Sequence, residues 1–274
     1  MVRKNVLGLA HRLYMHPAFI PVRPIVKLIR YLPDPILVYQ MGKVGSTTIL
    51  RSLKKENVPT FHVHNINKRN RQQIRRIYRQ HDARLPAFFH EGRYLRYWLR
   101  WSSRQKRIIT LVRDPIARII SGKFQTADVR GFPVGDVERA IEALKTEFME
   151  GEGLDYTYRW FSDEIREIIG VDVFDYPFDR DRGYARITTP EADILVMTLE
   201  RLNNLEGEIS EFVGREIRLE RSNVEQSDTY LHVKKTFRLP ADVVKDVYDT
   251  EWIRHFYTPD DVSTFISKWS EDLG

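Results

Sequence analysis

Short apolar runs alternate with longer stretches of helical periodicity along most of this 274-residue chain. The runs Ile36–Tyr39, Thr60–His64, Ala87–His90, Arg107–Val112 and Asp193–Leu199 read as strands. Helical periodicity covers residues 46–56, 68–80, 93–101, 115–124, 137–149, 157–169, 204–213, 241–250 and 260–269. Several boundaries carry their own chemistry. Asp114 can cap the helix that Pro115 opens, and Thr258-Pro-Asp-Asp261 has capping-box spacing with proline again in first position. Gly170 and Gly214 are natural helix stops. Strand–helix alternation predicts an α/β fold of P-loop-like type, a mostly parallel sheet flanked by helices on both faces. Ligands of such sheets bind beyond the carboxyl ends of the strands. On this reading residues 40–48, His62–His64, His90–Glu91 and Arg113 gather at one sheet edge. Residues 1–31 form a basic helical arm broken by Pro17, Pro21 and Pro24, and residues 32–274 form the α/β domain.

Composition narrows the chemistry. There is no cysteine, so disulfides, thiolate catalysis and cysteine-held zinc are excluded, and a reducing, cytoplasmic setting is the expectation. No stretch approaches the roughly 20 apolar residues of a membrane span, and the arm lacks the apolar core of a secretory signal. Its charges suit packing on the domain, or peripheral docking on an anionic membrane. A net charge of +6 admits nucleic acid, anionic polysaccharide, anionic lipid or a polyphosphorylated nucleotide as partner.

Gln40-Met-Gly-Lys-Val-Gly-Ser-Thr-Thr48 links the first strand to the first helix. Backbone N–H groups around Gly42, Val44 and Gly45, with the hydroxyls of Ser46, Thr47 and Thr48, can wrap a phosphate at a helix N-terminus. The loop departs from the nucleotide-kinase pattern, because Lys43 precedes the second glycine and Ser46 follows that glycine directly. Lys43 would then lie against the end of a phosphate chain, beside a bridging oxygen. A second motif runs from Arg107 to Lys123. It puts Arg113 at a strand end and Ser121 two helical turns past the Asp114 cap, where the two can clamp a second phosphate.

Together the two motifs resemble the PAPS-dependent sulfotransferases, whose co-substrate is 3′-phosphoadenosine 5′-phosphosulfate. The resemblance implies that Lys43 and its loop hold the 5′-phosphosulfate and that Arg113 and Ser121 hold the 3′-phosphate, with no metal required. Within that family the chain is more similar to a bacterial-type subgroup labelled capsular polysaccharide synthesis proteins. The shared signatures are Arg113-Asp-Pro-Ile-Ala-Arg118, Trp160-Phe with Glu164-Ile, Gly170-Val-Asp-Val-Phe174, and His255-Phe-Tyr257 followed by Trp269. The resemblance spans about residues 35–270, and the aromatic signatures read mostly as core. It implies a sulfotransferase acting on an acceptor hydroxyl, with a saccharide as the expected acceptor.

The acceptor needs a base. The resemblance favours His90, at the end of the run before the Arg113 strand. Glu91 would then turn away. His62 and His64 share one strand face and compete for the role. Asn223 and Lys234/Lys235 are weaker candidates for touching the acceptor or the 3′-phosphate, and Lys123 is either extra charge near the co-substrate or solvated. The basic stretch 68–80 reads as a helix with one solvated face or as a rail for an acidic glycan. Nucleic acid is disfavoured, because no nucleic-acid module accompanies it. Trp98 and Trp101 are core residues or sugar platforms. Two rival readings stand beside the transferase: an atypical P-loop kinase, and a non-catalytic anion- or glycan-binding module on the same fold.

Overall fold

Residues 35–220 and 227–271 are described by the structure, a computed structural model. The basic arm over residues 1–31 and Asn223 lie outside the described residues. The chain enters β1 (Ile36–Tyr39) and passes through α1 (Ser46–Lys55) to β2 (Thr60–Val63). It then runs through α2 (Lys68–Gln80) and α3 (Ala87–Trp101) to β3 (Lys106–Val112). After α4 (Pro115–Gln125), α5 (Val137–Glu150) and α6 (Glu152–Trp160), a π-helical turn over Phe161–Arg166 leads on towards β4 (Tyr184–Thr188) and β5 (Ala192–Thr198). Helices α7 (Glu206–Val213), α8 (Asp228–Thr236), α9 (Ala241–Tyr248), α10 (Glu251–Phe256) and α11 (Pro259–Trp269) follow.

The strands lie in the order β2-β1-β3-β5-β4, parallel except for β4, which pairs antiparallel with β5 at the edge. Every residue of β1 and β5 is buried. Such unbroken apolar strands need helices on both faces to keep water out. The chain leaves β1 towards β2 on one side and leaves β3 towards β5 on the other. Right-handed crossovers then put the intervening helices on opposite faces and leave a crevice between the carboxyl ends of β1 and β3.

The expected caps are present. The Asp114 side chain accepts from the Ile116 N–H, Thr258 and Asp261 form a reciprocal capping box, and Gly170 and Gly214 close their helices in the left-handed conformation. One expected strand is corrected: residues 87–90 open α3. Phe88 belongs to a helical stripe with Leu95, Trp98 and Leu99 that packs towards the sheet, Phe89 packs under Arg71 of α2, and this longer period outweighs a four-residue apolar run. A carboxylate oxygen of Glu91 accepts the His62 backbone N–H at 3.3 Å and shields the outer edge of β2. Strand β4 was not expected from the sequence. Only Ile187 of its residues is buried, and Arg186 instead makes a two-pronged pair with Asp193 on β5, at 3.0 and 2.9 Å.

Two buried carboxylates fasten the C-terminal half of the chain to the loops at the crevice. Glu164, in the π-turn, accepts from Tyr39 Oη at the end of β1, from the backbone N–H groups of Ile66 (2.8 Å) and Asn67 (2.9 Å), and from the side-chain amides of Asn65 (3.2 Å) and Asn70 (2.6 Å). Trp160 adds an indole N–H to the His64 carbonyl at 2.9 Å. On the other side of the crevice Asp114 accepts from Tyr248 Oη (2.6 Å) and Trp269 Nε1 (2.8 Å). Its own N–H donates to Glu200, which also accepts from Tyr257 Oη. Burial pushes the Glu164 and Glu200 carboxyls above their ordinary range, and these donors pull them back.

Glu164→Ala would leave Tyr39, two backbone N–H groups and two amides without their buried acceptor. A loss of at least about 3 kcal/mol in unfolding free energy is expected, measured by urea denaturation.

Candidate functional site

The loop after β1 is built from its buried residues outward. Met41 and Val44 are anchored in the core, and Lys43 between them takes a left-handed conformation at φ 73°, unusual for a residue with a side chain. Gly45 follows at φ 97°, and a Cβ there would stand 2.5 Å from the Leu199 side chain, so only glycine fits. No side chain caps α1, and its first turn, Ser46–Thr48, carries no acid. The first N–H groups of a helix lack acceptors within it and favour an anion.

Arg113 leaves the end of β3, and its guanidinium donates to the Lys43 carbonyl at 3.0 Å, bridging the crevice. Helix α4 closes the site from the next direction. Gly122 offers no Cβ, and the Lys43 side chain passes there, 3.9 Å from where one would be. Ser121 precedes Gly122, and Arg118 lies one turn before it on the same face. The structure therefore brings Lys43, Arg113 and the Ser121–Gly122 segment together, as their positions in the sequence implied. Burial, and then the charge of Arg113, lowers the Lys43 pKa to about 8. Among the described residues neither Lys43, Arg113 nor Arg118 pairs with a carboxylate. Unpaired cations collected in one crevice fit a ligand carrying more than one negative charge.

The histidines divide. His64 Nδ1 lies 2.7 Å from the Gln40 carbonyl, and because a carbonyl only accepts, Nδ1 carries the hydrogen and Nε2 the lone pair. Burial lowers its pKa to about 4, with the Gln40 contact opposing and the nearby Lys43 charge adding to the shift. It is thus a neutral imidazole beside Lys43. The His62 ring stands 4.5 Å from that of His64, on the same strand face as expected. His90 does not follow a strand. It sits on the outer side of α3, its pKa lowered by burial and by the charges of Arg71 and Arg93. It is Glu91, not His90, that turns towards the sheet.

Other expected residues have definite places. Lys123 pairs with Glu147 and is mostly shielded from solvent. Lys235 is exposed, whereas Lys234 lies near Lys268, whose pKa is lowered by burial and by the charges of Lys234 and Arg113. Trp98 packs on the core, and Trp101 is 80% exposed. On the basic helix 68–80, Arg71 is buried over the Phe89 ring, and Arg75, Arg76 and Arg79 face outward.

Three residues of interest were not singled out from the sequence. Arg118 is buried, donates to the Gly153 carbonyl at 3.0 Å and stands over the Tyr156 ring, and burial pushes its pKa down to about 10. Lys268 reaches the Arg113 region from α11. Gln40 is fully buried, with neither amide atom hydrogen-bonded among the described residues. The only sequence signal was for Arg118, which closes the Arg-Asp-Pro motif. The described residues contain no group of three or more His, Cys, Asp or Glu side chains placed to hold a metal, and no helix long and apolar enough to cross a membrane.

A family model described as "Putative capsular polysaccharide synthesis protein" matches residues 135–258. A search of curated proteins and a search of solved structures gave no match. The matched stretch contains Glu164, Glu200, Tyr248 and Tyr257, which fasten the crevice loops from behind. Lys43 and Arg113 lie before it.

Gln40→Met keeps the side-chain volume and removes a buried amide with no partner. The variant is expected to gain about 1 kcal/mol or more in unfolding free energy, read as a higher urea midpoint.

Proposed function

We propose that the protein is a sulfotransferase that moves a sulfuryl group from PAPS to a hydroxyl group of a saccharide. One observation carries the reading: the Arg113 guanidinium donates to the Lys43 carbonyl across the crevice, so the two anion-holding motifs form one doubly cationic site. The saccharide half is supported by the family match, which points to a glycan-related role.

In this mechanism the N–H groups of the 42–45 loop and the hydroxyls of Ser46–Thr48 hold the 5′-phosphosulfate. Arg113 and Ser121 hold the 3′-phosphate, with Lys268 adding charge beside Arg113. The acceptor hydroxyl gives its proton to His64 Nε2, held in its tautomer by the Gln40 carbonyl. The acceptor oxygen bonds to sulfur as the sulfur–oxygen bond to the 5′-phosphate breaks, and the electron pair stays on that phosphate. Lys43 neutralises the charge developing there, a contribution on the order of 3 kcal/mol for one positioned donor. His64 takes the base role in preference to His90 because it lies beside Lys43, whereas His90 sits on the outer side of α3. No step is assigned to a metal.

Calorimetric titration with PAP (the nucleotide product), adenosine 5′-phosphate and ATP–magnesium in parallel tests the reading. Selective PAP binding supports it. Preference for ATP–magnesium would replace it with the kinase, and the absence of nucleotide binding would leave a glycan-binding module. Lys43→Ala is expected to cut turnover about a hundredfold while weakening PAP less than tenfold. Arg113→Ala is expected to weaken PAP but not adenosine 5′-phosphate, and equal losses for both would remove its 3′-phosphate role.

The Lys43 shift sets a pH dependence. With its pKa near 8 in the free protein, Lys43 is largely neutral at pH 9, and a bound anion restores its proton. PAP binding at pH 9 is therefore expected to take up a proton, and affinity should fall as pH rises through 8. Calorimetry in buffers of different ionisation enthalpy measures the uptake, which Lys43→Met should abolish.

A further inference from the structure

Helix α3 has two faces of different character. Phe88, Glu91, Leu95, Trp98 and Leu99 turn towards β2 and the core. The opposite face carries His90, Arg93, Tyr97, Arg100 and Trp101 at steps of three, four, three and one, a continuous stripe on a 3.6-residue helix. Tyr97 is 62% exposed and Trp101 80% exposed, although aromatics of this size ordinarily bury most of their surface. Arg93 and Arg100 are exposed, and no carboxylate among the described residues pairs with them. The first turn of α3 lies beside the candidate site: on its inner face the Phe88 ring stands 4.8 Å from the His64 ring, and the stripe begins on the outer face of the same turn with His90. It ends at the far edge of the sheet, where the chain enters β3 at Lys106. Eleven helical steps from His90 to Trp101 span about 16 Å.

We infer that this face of α3 is a track for an anionic polysaccharide, a chain bearing carboxylate or sulfate groups that lies along the helix with one segment at His64. The inference rests on the acceptor reading of the site. Planar aromatic faces at Tyr97 and Trp101 suit stacking on sugar rings, and the intervening guanidiniums suit acidic substituents by charge and by fork geometry. A membrane-seated helix needs a broad apolar face with aliphatic residues. Here Leu95 and Leu99 are turned to the core, and the stripe is too narrow and too charged to enter a bilayer.

The test uses the full chain and a heparin-derived dodecasaccharide as probe, with a neutral dextran oligosaccharide, a single-stranded oligonucleotide and anionic phospholipid vesicles as comparisons. The variants are Tyr97→Ala/Trp101→Ala and Arg93→Gln/Arg100→Gln. All four residues are exposed, so thermal midpoints should stay close to the parent's. Each pair is expected to weaken the dodecasaccharide at least tenfold and to leave PAP affinity unchanged. If the aromatic pair has no effect, the binding is charge attraction alone and the track is overturned. Tighter stripe-dependent binding of vesicles or oligonucleotide would overturn it in favour of those partners. Stripe-dependent dodecasaccharide binding in a protein that does not bind PAP would keep the track and remove the transferase reading. Normal PAP binding with unaffected dodecasaccharide binding would do the reverse.

Discussion

A carboxylate taken out of water without a cation must be surrounded by donors, and Glu164 is surrounded by five. They come from the end of β1, from the loop after β2 and from the first turn of α2, so a single side chain fixes where two strands end and how the chain leaves them. The π-turn that carries it departs from regular helix, as such turns often do where a side chain must be re-aimed. With Trp160 held on the His64 carbonyl, this arrangement sets the positions of Gln40 and His64 and hence one wall of the crevice. Asp114 and Glu200 do the same for the opposite wall, through Tyr248, Tyr257 and Trp269.

The division of charge follows from this. The acids nearest the crevice are turned inward, where neutral donors from tyrosine, tryptophan, asparagine and the backbone satisfy them. The cations Lys43, Arg113 and Arg118 are left without carboxylate partners among the described residues. Pairing the two signs directly would have cancelled the field an anion feels; separating them keeps it. The family match falls on the inward part of this arrangement, residues 135–258, which is why it speaks to the framework and a glycan-related role rather than to a particular transfer reaction.

Much of the sheet was legible because a strand buried on both faces is an apolar run: β1, β3 and β5 could be read within a residue or two. The α3 opening misled because Phe88 and Phe89 form an apolar run too short to reveal its period. Strand β4 was hidden because its partner supplies its stability through the Arg186–Asp193 pair. In the site, Lys43 and Arg113 were visible because loop chemistry is local. Gln40 and Lys268 were not, since what matters about each is a tertiary neighbour. Trp160 and Trp269 read as core, and they are buried, but burial concealed that their N–H groups hold a carbonyl and a carboxylate beside the site.

Lys43 sits in two unfavourable states at once: a left-handed backbone that costs a side-chain-bearing residue on the order of 1 kcal/mol, and an ammonium drawn partly out of water. Glycine at this position would relieve the backbone strain and remove the buried charge in one step. Nothing in folding would select against the change, because the framework that holds the loop lies elsewhere.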